Sequence, residues 1–340
     1  MKNNQLMIYG AYGYAGELMV REAVAQGLRP IIAGRDDEKL KPIATELSLE
    51  CRAFGVRNTG SNLQDISVLL NCAGPFSATA EPLARACLAQ QIHYLDITGE
   101  IDIFRKCHAL DEEARQQNVL ILPGAGTDIV PTDCLAAMLK EKLPVATRID
   151  LALSFGTNPS IGTVNTMIES FGKGGLIREG GMLKVVSNAF QMRKIPFQNK
   201  PQWAMTIPWG DVFTSGISTG VPDGAVYMAM PRMSIYMIRL TNPVKGILNT
   251  QFGQKITKRL AGWLMKKGPD AKALEAGRGQ FWGEAEAPDG EKLEMTMSTP
   301  NVYALTATVG IRIAQYCLDY TGPGGYYTPC LLYTSDAADE

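Results

Sequence analysis

Histidine is almost absent from this 340-residue chain: only His93 and His108 occur. Two imidazoles cannot build a multi-histidine metal site, so no metal is expected, and histidine acid–base chemistry has few places to stand. An excess of charge is lacking too. The chain has 33 Lys and Arg against 34 Asp and Glu, a net of −1, so no bulk field draws nucleic acid. No run reaches the roughly 18 uninterrupted apolar residues that a transmembrane helix needs. The cysteines at 51, 72, 87, 107, 134, 317 and 330 include no C-x-x-C pair, which argues against a zinc ribbon or a dithiol redox motif. Met1-Lys2-Asn3-Asn4 leads straight into an apolar stretch with no secretory leader. The expected location is therefore cytoplasmic, with reduced thiols.

Glycine, by contrast, is placed with purpose. Gly10, Gly13 and Gly16 follow the apolar run Leu6-Met7-Ile8-Tyr9 and open an amphipathic pattern carrying Leu18, Met19 and Ala23. This reads as strand, glycine turn and helix. Such a turn lets backbone approach a pyrophosphate, and the helix N-terminus offers N–H donors. The spacing is G-x-x-G-x-x-G. The candidate cofactor contacts are Gly10, Ala11, Tyr12, Gly13, Tyr14, Ala15 and Gly16.

The next strand, Pro30–Ala33, ends in Gly34-Arg35-Asp36-Asp37. A site for NAD places an acidic residue here for the ribose hydroxyls. Gly34 followed by Arg35 suits a 2′-phosphate, because a guanidinium pairs with planar oxyanions in two places. NADP(H) is therefore the expected cofactor. The competing assignment makes Asp36 the ribose ligand and Arg35 a solvated loop residue.

Strand and helix patterns alternate through the first 130 residues. Strands are expected at 51–54, 68–71, 93–96 and 119–122, and helices at 78–90 and 102–117. Continuous apolar strands separated by helices imply a parallel sheet covered on both faces, with its ligand beyond the carboxyl ends. Three of those ends are rich in chemistry. The first carries Cys72-Ala73-Gly74-Pro75-Phe76, small residues beside a ring that could wall a nicotinamide. The second carries Asp96-Ile97-Thr98-Gly99-Glu100. The third runs from Gly124 through Thr127-Asp128 to Asp133. Asp128 and Glu100 are the candidate catalytic acids, with Asp96 and Tyr94 behind them. Gly99 is a further cofactor contact. Asp96 and Asp133 are equally plausible as helix caps.

Together GAYGYAG, AGR, NCAGPF, YLDITGE and GAGTDIVPTDCLA resemble the saccharopine dehydrogenase-like family, closest to its trans-acting enoyl reductase branch. Segments 158–181, 207–222, 281–307 and 322–329 agree, so the resemblance runs to Pro329. It implies an NADP-binding Rossmann domain, a second α/β domain on the substrate side, and reduction of a polarised C=C or C=N bond. The substrates implied range from amino-acid imine adducts to lipid-like enoyl groups. The fold class is α/β: a doubly wound parallel sheet over 1–130, then an α+β substrate domain over 131–300 with a mixed or antiparallel sheet. That second domain is also the place for any homodimer contact. A helix over 303–318 returns to the first domain.

In the second domain, 148–155 alternates as a half-buried strand. A helix is expected over 161–171, and Asp289-Gly290 closes a hairpin. Trp209-Gly210-Asp211 with Ser215, Ser218 and Thr219 reads as a polar loop. Residues 253–267 form a basic amphipathic pattern. It suits peripheral contact with an anionic membrane, or an ordinary helix facing its own core. Residues 330–340 resemble a translated sequencing adapter, residues 331–340 are expected to pack on nothing because the last six are polar and small, and the natural chain is expected to continue past Pro329. Two alternatives to the reductase stand: a non-catalytic NADP(H)-sensing or lipid-surface scaffold, and an amino-acid imine reductase. The imine reductase needs arginines for substrate carboxylates, and Arg148, Arg178 and Arg193 are the candidates.

Overall fold

The apolar runs at the start of the chain become strands buried on both faces. The computed structural model describes residues 4–155, 174–240, 242–244, 250 and 277–336. Its first strands are β1 (Leu6–Tyr9), β2 (Ile31–Gly34), β3 (Cys51–Ala53), β4 (Val68–Asn71), β5 (His93–Asp96) and β6 (Leu120–Leu122). Between them lie α1 (Tyr14–Ala25), α2 (Asp37–Leu47), α3 (Phe76–Ala89), α4 (Ile101–His108) and α5 (Asp111–Gln117). Every residue of β1, β2, β4 and β6 is buried. All pairings are parallel, in the order β6-β5-β4-β1-β2-β3. The winding reverses between β1 and β4, which puts the ligand crevice of a doubly wound sheet at their carboxyl ends. The single helix expected over 102–117 is in fact two. Leu110 is buried at the break, and its N–H bonds Cys107 O rather than continuing α4.

Helix α6 (Val130–Lys142) leads into a second compact unit, Pro131–Val302. Its strands are β7 (Arg148–Phe155), β8 (Gly175–Glu179), β9 (Met182–Val186), β10 (Met192–Pro196) and β11 (Pro201–Ile207). Then come α7 (Asp211–Thr219), β12 (Asp223–Ala229), α8 (Arg232–Leu240), β13 (Gly279–Glu286) and β14 (Lys292–Thr299). The sheet is mixed, ordered β10-β11-β12-β7-β13-β14, with β12 parallel to β7 and the other neighbours antiparallel. The expected hairpin joins β13 to β14. Gly290 closes it at φ +88°, a left-handed value that favours glycine. The expected helix over 161–171 and the basic stretch 253–267 lie outside the described residues.

Two expectations for this unit fail. β7 is not half-buried: its six central residues are all buried. One face carries Leu151, packed with Gly283 and the α6 leucines 135 and 139. The other face carries a polar network. Arg193 from β10 pairs with Glu284 of β13 at 3.1 and 3.0 Å and lies 4.6 Å from the Trp282 ring centre. Arg148 pairs with Asp150 at 2.9 Å. Three strands separate β10 from β13, so this reach requires a strongly curled sheet. The second failure is 211–219, which is a helix and not a loop. Ser215 Oγ donates to Asp211 O and Thr219 Oγ1 to Ser215 O, so these hydroxyls bond back along their own helix. Gly220 ends it at φ +67°.

The chain then returns through α9 (Val302–Leu318), β15 (Gly325–Tyr326) and α10 (Pro329–Asp336). β15 adds a seventh parallel strand beside β6. The first unit thus comprises 1–130 and 303–340. The idea that residues 331–340 pack on nothing is overturned. Leu332 is wholly buried in the core that holds Leu120, Leu122 and Ile311, and Cys330 is buried as well. The polar end of the segment hid its apolar beginning, Cys330-Leu331-Leu332. Leu332→Ala is accordingly expected to cost about 2–5 kcal/mol, as core truncations do. Chemical denaturation monitored by circular dichroism reads this directly, and an unchanged midpoint would return the segment to the solvent.

Candidate dinucleotide and active site

The glycine turn is built by three different constraints. Gly10 ends β1 at φ +85°, and a Cβ there would stand 2.7 Å from Ala73 N at the end of β4. At Gly16 a Cβ would stand 2.2 Å from Gly10 O. Both glycines are needed by the protein's own packing. Gly13 is different. Its φ of −75° suits any residue, and its Cβ would meet only Gly10 O, at 3.2 Å. As N-cap of α1 it brings no side chain to the helix end. Gly74 is more open still: a Cβ there would meet nothing within 4 Å. The protein thus leaves space at the two points where a pyrophosphate and a nicotinamide ribose would approach. The turn itself is tied to β2 by the N–H groups of Gly10 and Ala11, which donate to Ala33 O at 2.7 and 3.2 Å.

The far end of the crevice separates the two readings of Arg35 and Asp36. Asp36 is the N-cap of α2. It accepts from Lys39 N at 3.4 Å and pairs with Lys39 Nζ at 3.1 Å. The Lys39 contact holds the Asp36 carboxyl below its ordinary range. Arg35 is exposed. Gly34 lies under the Tyr12 ring, where a Cβ would be 2.6 Å from Cε1. A carboxylate that caps α2, an exposed guanidinium and a small residue fit a 2′-phosphate better than a bare ribose.

The residues at and beyond the ends of β4, β5 and β6 fall into two groups. Asn71, Tyr94 and Asp96 form an internal network, all three fully buried. Asn71 Nδ2 donates to Tyr94 Oη at 3.2 Å, and Tyr94 Oη donates to Asp96 Oδ2 at 2.8 Å. Asp96 Oδ1 accepts from Thr98 N and Gly124 N, each at 3.0 Å. Burial pushes Asp96 up to about 6 despite these bonds. This carboxylate laces β5 to β6. It caps no helix, and Tyr94 is bonded within the same network. Asp133 is no cap either: it lies inside α6, fully buried, and accepts from Ser218 Oγ.

Residues nearer solvent form the second group. Cys72 is buried with Sγ 3.2 Å from Met19 Sδ, and burial pushes its thiol far up, so it is packing and not a nucleophile. Ala73 is half-buried, Gly74 and Pro75 are exposed, and Phe76 starts α3 half-buried. Gly99 and Glu100 are half-buried, with Glu100 as N-cap of α4 through its backbone. Asp128 keeps some exposed surface. Its carboxyl nevertheless sits deep enough that burial pushes it up to about 7. Neither histidine is here. His93 begins β5, at the opposite end of the sheet, and His108 ends α4 against Tyr326.

Sequence reasoning missed what α9 contributes. Thr306 Oγ1 accepts from Thr127 N at 3.1 Å and donates to Thr127 Oγ1 at 3.0 Å. The Tyr303 ring meets the Tyr14 ring edge-on at 5.1 Å. A returning helix therefore braces both the Asp128 loop and the start of α1. The available signal was weak: two polar side chains one turn apart at the head of an apolar helix.

A parallel sheet wound 3-2-1-4-5-6, a glycine turn at its switch point and an arginine closing β2 define a dinucleotide-binding domain that takes NADP(H). Comparison with known proteins places it. Residues 6–122 match the family described as saccharopine dehydrogenase NADP binding domain. A saccharopine dehydrogenase-like oxidoreductase of Rattus norvegicus is 25% identical over 59% of this chain and 53% of its own. A Mycobacterium tuberculosis protein provisionally named a trans-acting enoyl reductase is 28% identical over 54% of this chain and 44% of its own. The chain spans about half the length of the curated relatives it matches. In fold it resembles the saccharopine dehydrogenase (L-Glu forming) of Saccharomyces cerevisiae, with a TM-score of 0.66. That match is 10% identical and covers 98% of this chain and 95% of the other.

Proposed function

We propose that this protein is an NADPH-dependent oxidoreductase that reduces a polarised double bond. The observation that carries this is the crevice itself, open at Gly13 and Gly74 and bounded by Arg35, with an acid of raised pKa, Asp128, on a neighbouring strand end. The bound cofactor supplies a hydride. The chain must then orient the acceptor and deliver a proton to the far atom. Asp128 suits that task, since a carboxyl raised to about 7 holds its proton in part of the molecules at neutral pH. Thr306 and Thr127 hold its loop in place.

Between the two acceptor classes, the arginines favour an enoyl group over an amino-acid imine. An imine of two amino acids needs free guanidinium groups for its carboxylates. Arg193 is committed to Glu284 and Arg148 to Asp150. Arg178 is buried, with Nε donating to Val221 O and Nη1 to Val212 O, so only its Nη2 lacks a partner. The relative named as an enoyl reductase agrees with this choice. The test is NADPH oxidation by purified protein against matched enoyl and imine panels. Turnover of imines alone would reverse the assignment, and turnover of neither with tight NADPH binding would favour a sensing role.

The cofactor preference is measurable on its own. NADPH is expected to bind at least about tenfold more tightly than NADH, because a charge-assisted pair to phosphate contributes about 1.5–3 kcal/mol. Arg35→Ala should remove most of that difference in a calorimetric titration. Equal affinities in the parent protein would defeat the assignment.

A further inference from the structure

Arg35 does not stand alone at the end of β2. The Tyr12 ring lies directly over Gly34, and only glycine leaves room for it there. Over that ring, 5.6 Å from its centre, sits the ammonium group of Lys39. Arg35 follows Gly34 directly in the chain, so its backbone lies at the same strand end as that ring. Lys39 is on the first turn of α2, with its side chain largely exposed, and its counterion is Asp36. That exposed ion pair is weak and exchangeable.

We propose that Lys39, placed over the Tyr12 ring and held at rest by Asp36, is the second cation of the 2′-phosphate site and a determinant of NADP(H) over NAD(H). This rests on the NADPH reading above. A phosphate dianion entering beside Arg35 offers Lys39 a stronger partner than a single solvated carboxylate. Asp36 then has two roles. It caps α2, and its negative charge weakens the site toward anions. Tyr12 is a positioning residue: its face keeps the ammonium group near the phosphate position.

Direct binding tests this without turnover. Dissociation constants for NADPH and NADH are measured by calorimetry on the parent, Lys39→Met, Lys39→Arg and Asp36→Asn proteins. Lys39→Met is expected to weaken NADPH about fivefold while leaving NADH unchanged, the scale of one exposed ionic contact. Lys39→Arg should retain the parent ratio. Asp36→Asn keeps a capping side chain and loses the charge, so it should tighten NADPH about twofold or more. A parent that prefers NADPH while Lys39→Met keeps the same ratio overturns the role of Lys39 and leaves the cofactor reading intact. A parent that binds both cofactors alike overturns both. The Lys39 side chain is largely exposed, so a folding defect is not expected, and circular dichroism confirms it.

Discussion

Asp128→Asn is expected to lower turnover by about 10²-fold or more with NADPH affinity retained, because asparagine keeps the shape and cannot deliver the proton. The same change should alter stability in the opposite direction. The folded-state pKa of Asp128 is raised by burial, from the ordinary 3.8 to about 7. A raised acid takes up a proton on folding, so its contribution is fully present below pH 3.8 and lost as pH rises through about 7. Above that pH the parent folds with a buried charge and the variant does not. Asp128→Asn should therefore melt several degrees higher at pH 8, a gain of about 1–4 kcal/mol, and show little gain at pH 4. A residual slope between about 4 and 6 should persist in the variant, because Asp96 is raised to about 6 by its own burial. Thermal melts across pH, paired with turnover at saturating NADPH, separate the possibilities. A variant that is destabilised at pH 8 with turnover per folded molecule unchanged would make Asp128 a brace and not an acid.

Gly13→Val and Gly16→Val should behave oppositely, although the residues are three apart in one turn. At Gly16 a side chain would overlap Gly10 O, 2.2 Å away, and backbone cannot give way at that point. That variant is expected not to fold. At Gly13 the backbone is already extended and the nearest atom is 3.2 Å away. The cost there is about 1 kcal/mol, the usual scale at a helix N-cap. The valine instead fills the space a pyrophosphate would enter, so NADPH binding should be abolished. Calorimetric titration of folded Gly13→Val decides it. Unchanged NADPH affinity would mean that the pyrophosphate lies elsewhere.

Much of the scaffold was legible along the chain because its determinants are local. β7 and the β13–β14 hairpin are found where alternation and Asp289-Gly290 place them, since side-chain period and turn chemistry act over a few residues. Where the reading failed, a distant partner decided the outcome. Ser215 and Thr219 look like loop residues until their hydroxyls are seen bonded to carbonyls four residues back. Asp133 looks like a cap until α7 brings Ser218 to it from 85 positions away. Leu332 looks like part of a polar tail in the sequence, yet its burial depends on a core formed by strands some two hundred residues earlier.

By itself the amino-acid order determined the strand–turn–helix opening, the parallel sheet and the Gly34-Arg35 ending of β2. Short-range sterics and hydrophobic period leave few other conformations to those stretches. Only the tertiary structure decided the surroundings of each acid. It made Asp36 the cap of α2, bonded Asp96 to Tyr94, Thr98 and Gly124, and placed Asp128 in a loop braced by Thr306 from 179 residues away. A carboxylate's chemistry follows from its burial and its hydrogen-bond partners, and those are set by which strand ends and helices packing brings together.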